Sequence, residues 1–195
     1  MKIYWRWCTL NSLIIDTSTE NLYVGLYGKE KKEILEKGKN HAAVLMKKID
    51  EILGEAKLDN IDEIIVGIGP GSYTGVRVGV VVGKMLAWTK HITLKKVSSL
   101  YIECSGYDGI RSVSIDARRG NAFCAIYDSD DSLILEEALR PINEFTTAGT
   151  IITENEYKPN MEKIVKKAEL VTDPHSLVPN YLRKTEAERN KNHED

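Results

Sequence analysis

Asp16 and Asp116 each close an apolar run, and they stand 100 residues apart in a chain of 195. A carboxylate at such a position can act as a base in phosphoryl transfer, hold a solvated cation, or accept hydrogen bonds from the following turn. We favour strand-end hydrogen bonding for both. The turn "GPGSYTG" at 69–75 is a second candidate, because it joins an apolar run to a second, glycine-spaced one. It lacks GK[ST] and so is not a Walker loop, and Ser72 stands where a dinucleotide fingerprint begun at Gly67 and Gly69 needs its third glycine. Backbone amides at a helix start can still hold an anion, but helix capping is the simpler use of Ser72 and Thr74. Metal-assisted hydrolysis needs ligand histidines at helical spacing. His41, His91, His175 and His193 contain no such pair, so no metal centre is expected. Cys8, Cys104 and Cys124 form no CxxC and are odd in number, which suits neutral thiols in a reducing cytosol.

An internal repeat supplies the framework for these residues. "IDTSTENLYVGLYGKEKKEILE" from Ile15 and "IDARRGNAFCAIYDSDDSLILE" from Ile115 agree without a gap at seven positions. Each reads as strand, polar turn, alternating strand, charged turn and third strand. Two related β-meanders predict two related half-domains, over 1–98 and 99–195. In the first, Leu45, Ile49, Ile52, Leu53 and Ala56 recur at helical spacing and predict an amphipathic helix over 41–56. "IDEIIVGIG" reads as a buried strand, residues 74–89 as a second helix and "ITLKKVS" as a last strand. The order βββαβαβ is that of a ribonuclease H-like domain. The second copy, with "PINEF", "TIIT" and "NMEKIVKKAEL", has room only for an abbreviated version.

Gly71, Gly75, Gly79 and Gly83 fall four apart across the turn and the second helix. Each helical glycine costs about 1 kcal/mol relative to alanine, so something must pack closely against the ridge. Residues four apart share a face, and glycines there admit another backbone. The neighbour is either the chain's own sheet or another protein. Apolar residues cover nearly all of this helix outside the Arg77 and Lys84 stripe, which predicts burial on two sides and favours a partner.

Composition narrows the function classes. Lys plus Arg number 27 against 29 Asp plus Glu, so the net charge of -2 offers no global attraction for nucleic acid or an anionic membrane. Arg118 and Arg119 are the best local candidates for a nucleic-acid phosphate contact. The strongest apolar run, Val78 to Val82, is soon interrupted by Lys84 and is far short of the roughly 20 residues a bilayer needs. "MKIYWRWCTL" lacks the apolar region and cleavage site of a secretory signal, so a cytoplasmic protein is expected.

"GPGSYTGVRVG" resembles the signature of the bacterial TsaB (YeaZ) family of tRNA threonylcarbamoyladenosine biosynthesis proteins. "IDTS" at 15–18, "SIDARRGNAFCAIY" at 114–127 and "VPNYLR" at 178–183 agree in order. The resemblance spans roughly 12–183 and implies a duplicated ribonuclease H-like fold of the actin-like ATPase superfamily, with the second domain abbreviated here. It also implies a non-catalytic partner of TsaD in forming N6-threonylcarbamoyladenosine beside the anticodon of tRNAs reading codons that begin with A. The ATPase TsaE would join that assembly, and tRNA would be reached through it. No cofactor of its own is implied; ATP and a metal ion belong to the partner proteins. The partner interface, or a homodimer interface when the chain is alone, would use both helices of the first half. Residues implied for it are His41, Leu45, Gly71, Ser72, Thr74, Gly75, Arg77, Gly79, Val82, Gly83 and Leu86.

Departures from the wider superfamily point the same way. Actin-like ATPases carry Asp-x-Gly at the first strand end of each half, whereas Asp16 is followed by Thr17 and Ser18, and Asp116 by Ala117 and Arg118. TsaD's pair of metal-binding histidines one helical turn apart has no counterpart. A rival reading, an actin-like-fold phosphotransferase or metallopeptidase-like enzyme acting alone, would need that missing chemistry. Residues 1–11, with Trp5 and Trp7, precede the usual family start, and the polar tail "RKTEAERNKNHED" is expected to fray.

Overall fold

A computed structural model describes residues 10–182. The calls on Trp5, Trp7, Cys8, His193 and the tail from Arg183 lie outside the described residues.

Two meanders 100 residues apart organise the chain. β1 (Ser12–Asp16), β2 (Asn21–Tyr27) and β3 (Lys31–Lys37) are antiparallel neighbours, and β6 (Arg111–Asp116), β7 (Asn121–Tyr127) and β8 (Leu133–Pro141) repeat them. Between them run α1 (His41–Leu53), β4 (Glu63–Gly67), α2 (Tyr73–Lys90), β5 (Thr93–Val97) and α3 (Ser99–Cys104). α1 stops three residues before the predicted end, where Gly54 turns into a short 3-10 segment, Gly54–Ala56. α3, which sequence periodicity did not reveal, is only six residues long. After β8 come β9 (Thr150–Ile152), α4 (Met161–Lys167) and β10 (Glu169–Leu170).

The first sheet has the order β10-β5-β4-β1-β2-β3, with β1, β4 and β5 parallel. The second, β8-β7-β6-β9, stops after one parallel strand; among the described residues only a 3-10 turn, Ile142–Glu144, stands where α1 would be, and the sheet has no counterpart of β5. This is a duplicated ribonuclease H-like fold with a reduced second half. The boundary at 98/99 needs one correction, because β10 extends the first sheet and Leu177 packs in the first core. Residues 169–182 therefore return to the first half.

Strand alternation explains the layers. Leu13, Ile15, Val24, Ile64 and Val66 face α1 and α2, whereas Ile14, Tyr23 and Ile65 face a second core. That second core also takes α3 residues, Ile164 of α4, and Val113, Ile115, Phe123 and Tyr127 of the second sheet. The order across the molecule is thus helix pair, sheet, short helices, sheet.

Candidate functional site

The glycine ridge faces inward. Ser72 caps α2, its hydroxyl accepting from the Gly75 amide at 3.3 Å; Thr74, also read as a cap, is an exposed residue of the first turn. A Cβ at Gly75 would lie 2.2 Å from the Thr17 carbonyl oxygen, one at Gly79 2.6 Å from Thr17 Oγ1, and one at Gly83 2.2 Å from Val66 Cγ1. The Thr17 hydroxyl donates to the Gly75 carbonyl (2.7 Å) and accepts from the Gly79 amide (3.0 Å). It thus touches both the acceptor and the donor that an α-helix pairs four residues apart. Close approach to β1 and β4 answers the requirement that the glycines impose, and it corrects the expectation that the ridge meets a partner.

Other interface candidates are also interior. Leu45 and Leu86 belong to the core, and His41 is buried with Nε2 2.8 Å from the Thr19 carbonyl oxygen, pinning the start of α1 to the β1–β2 turn. Gly71 lies against Ser18, whose carbonyl accepts from the Ser72 amide at 2.6 Å. Val82 is half-buried, while Ser72, Thr74 and Arg77 are exposed.

The outward face of α2 carries different residues. Arg77, Val81, Met85 and Trp88 recur at helical spacing, with Val81 60% and Trp88 58% exposed, and Met85 nearly half exposed. α1 packs beside α2 and adds exposed Met46. Apolar residues all round α2 are legible in the sequence, but which side faces solvent is set by the sheet, against which the glycines pack.

The returning segment 171–182 flanks this helix. Lys84 Nζ donates to the carbonyls of His175 (3.0 Å) and Leu177 (2.9 Å), and the Trp88 and His175 rings meet edge-on at 4.4 Å. The Asn180 amide donates to Ile68 (2.7 Å), delivering Tyr181 to Arg77.

Between the two halves lies a cleft of about 740 Å³, bordered by the α2 N-terminus, the start of α1 and the β6–β7 turn. Arg118 and Arg119 occupy that turn in left-handed conformations, φ 67° and 56°, and both are exposed. Asp116 is exposed as well, and its Oδ1 accepts from the Arg118 amide at 2.8 Å. Asp16 is sealed away. Its carboxylate accepts from the Ser99 hydroxyl (2.9 Å), the Tyr157 hydroxyl (3.0 Å), the Ser18 hydroxyl (3.0 Å) and the Ser18 amide (3.3 Å). Burial raises its pKa, and these hydrogen bonds oppose the shift. Both aspartates thus serve strand-end hydrogen bonding, Asp16 across the two halves and Asp116 within its own turn.

Nearby Glu103 is fully buried, and neither carboxyl oxygen has a hydrogen-bond partner among the described residues. Burial first, then the neighbouring charges of Glu154, Asp16 and Glu156, push its pKa well above 4.5. Cys104 and Cys124 are buried free thiols, and burial pushes Cys104 up to about 12. Among the described residues no group of His, Cys, Asp and Glu has the arrangement of a metal site, and no helix is long and apolar enough to cross a membrane.

Residues 35–187 match a family model described as TsaD, tRNA N6-adenosine threonylcarbamoyltransferase. The tRNA threonylcarbamoyladenosine biosynthesis protein TsaB of Bacillus subtilis (strain 168) is 31% identical over 218 aligned positions, spanning 90% of this chain and 95% of its own. The protein of the same name from Haemophilus influenzae (strain ATCC 51907 / DSM 11121 / KW20 / Rd) is 39% identical over 95 residues, 47% of this chain and 40% of its own. The solved structure of YeaZ from Pseudomonas aeruginosa superposes with a TM-score of 0.75 at 23% identity, over 89% of this chain and 100% of that one, and supports the fold. Near-complete coverage of a 31% identical relative, on a duplicated fold of matching shape, places this chain in the TsaB family of tRNA threonylcarbamoyladenosine biosynthesis proteins.

Proposed function

We propose that this chain is the non-catalytic member of its modification system. It pairs with a TsaD-family protein through the outward face of α2 beside α1, and supports threonylcarbamoyl transfer to the adenosine beside the anticodon. The observation that carries the proposal is the exposed apolar stripe of Val81, Met85 and Trp88 on α2, which packs beside α1 with its own exposed Met46. Such a surface is unfavourable in water and favourable when covered by a partner. The reading of the chain as non-catalytic rests on Asp16, whose carboxylate is committed to Ser18, Ser99 and Tyr157 instead of facing the cleft. ATP, the metal ion and the TsaE-type ATPase belong to the partner side of the assembly. Without a partner, a second copy of the chain would cover the same face. Transfer RNA is reached mainly through the complex, and Arg118 and Arg119 contribute at most a salt-sensitive phosphate contact.

Met85→Glu tests the surface. The isolated chain should keep its melting temperature, because Met85 is exposed, while affinity for a purified TsaD-family protein falls by about tenfold or more. Unchanged affinity would place the interface elsewhere.

A further inference from the structure

At the N-terminal end of the same face, Arg77 is held by two aromatic residues that the sequence motif did not single out for this role. Its Nε donates to the Tyr181 hydroxyl at 2.7 Å, and Nη2 donates to the Tyr73 hydroxyl. The guanidinium carbon sits 3.9 Å from the Tyr73 ring centre and 5.6 Å from that of Tyr181, with the two rings 5.1 Å apart. Tyr73 is one helical turn before Arg77, whereas Tyr181 comes from the returning segment, fixed by the Asn180 amide on Ile68 and by Lys84 on two carbonyls of that segment. All three side chains are exposed.

An exposed arginine usually loses rotamer freedom when it binds. Here most of that ordering is already done. The phenol oxygens are neutral acceptors, so the positive charge is not cancelled, and among the described residues Arg77 has no carboxylate partner and Nη1 has no acceptor. The other two cations of α2 are already engaged: Lys84 bonds backbone carbonyls, and Lys90 pairs with Asp59 at 2.8 Å. Arg77 is therefore the cation of α2 that is exposed, has no carboxylate partner and keeps donor capacity to spare, beside an apolar stripe, whereas Lys84 is half-buried against its carbonyls. Nucleic acid is bound by several cations along a backbone, whereas a lone arginine with tyrosines at the edge of apolar surface has the composition of a protein–protein hot spot.

We propose that Tyr73, Arg77 and Tyr181 form a pre-ordered anchor that accepts a carboxylate of the TsaD-family partner, Arg77 making the contact and the two tyrosines positioning it. The inference rests on α2's outward face being the partner surface. The test measures binding of purified TsaD-family protein to the full chain and to Arg77→Ala, Arg77→Lys, Tyr181→Phe and Met85→Glu, each at low and high salt, with thermal unfolding on the same samples. Arg77→Ala should weaken binding by about tenfold to a hundredfold and flatten its salt dependence. Arg77→Lys should recover only part of that loss, because an ammonium cannot span both phenols and a carboxylate. Tyr181→Phe should cost about threefold to tenfold while leaving the salt slope in place, since the charge remains. If Arg77→Ala binds normally while Met85→Glu does not, the face is right and the anchor is wrong. Normal binding by both variants overturns the anchor together with the surface beneath it. Arg77-dependent binding of inorganic phosphate or tRNA by the lone chain, with partner affinity unchanged, would assign the arginine to an anion and also overturn the proposal.

Discussion

Asp16 and Glu103 are both buried carboxyl groups near the junction of the two halves, and their surroundings give them different work. Asp16 is surrounded by donors, so Asp16→Asn places an amide N–H against hydroxyl and amide hydrogens and should destabilise the chain by about 1–3 kcal/mol. Activity of the assembled modification system per folded chain should stay within a few-fold of normal; a fall of orders of magnitude with folding and assembly preserved would make Asp16 catalytic. Glu103 has no donor among the described residues and like charges around it, so its folded pKa lies well above its unfolded value. The folded chain then holds more protons than the unfolded one, and the contribution of Glu103 to stability is present at acid pH and lost as pH rises through the folded pKa. Glu103→Gln should remove that loss. Denaturant titrations from mildly acidic to mildly alkaline pH should show the variant gaining on the parent as pH rises, and parallel curves would contradict a raised pKa at Glu103. Asp16 was visible in sequence as a strand-end hydrogen-bonding group. Glu103 was not, because burial of one glutamate in a short helix leaves no spacing pattern.

At the scale of elements, α2 tolerates three helical glycines because the sheet occupies the space their side chains would fill. Gly79→Leu and Gly83→Leu should therefore lower the melting temperature of the isolated chain, by about 1–3 kcal/mol or more of stability, through clashes with Thr17 and Val66. The folded fraction should bind a TsaD-family partner nearly normally. Loss of binding at unchanged stability would turn the ridge outward again. The four-residue spacing made the need for a close neighbour legible, but not its identity, since Thr17 lies 62 residues from Gly79. The meanders were legible for the opposite reason. Their alternation and strict offset are local properties, and β2 and β7 fall at 21–27 and 121–127. Residues 171–182 carry no periodicity, and they attach through carbonyls, the Val171 and Asn180 amides, the buried Leu177 and the tips of rings. Their return to α2, and with it the role of Tyr181, became clear only in three dimensions.

At the scale of the whole molecule, a duplicated fold has kept its internal hydrogen-bonding aspartates while leaving one helix face uncovered. The second half ends after four strands, so the first half bears the apolar stripe alone. The central claim is that this chain is required for tRNA modification without performing the chemistry. The most direct measurement is threonylcarbamoyl incorporation into tRNA by purified TsaD- and TsaE-family proteins supplied with ATP, a metal ion and a threonylcarbamoyl donor. It should be run with the full chain, with the Met85→Glu chain, without either, and with the full chain alone. Incorporation should depend on the full chain, fall sharply with Met85→Glu at protein concentrations near the dissociation constant of the complex, and be absent with the chain alone. Turnover by the lone chain, or an equal rate in its absence, would contradict the account.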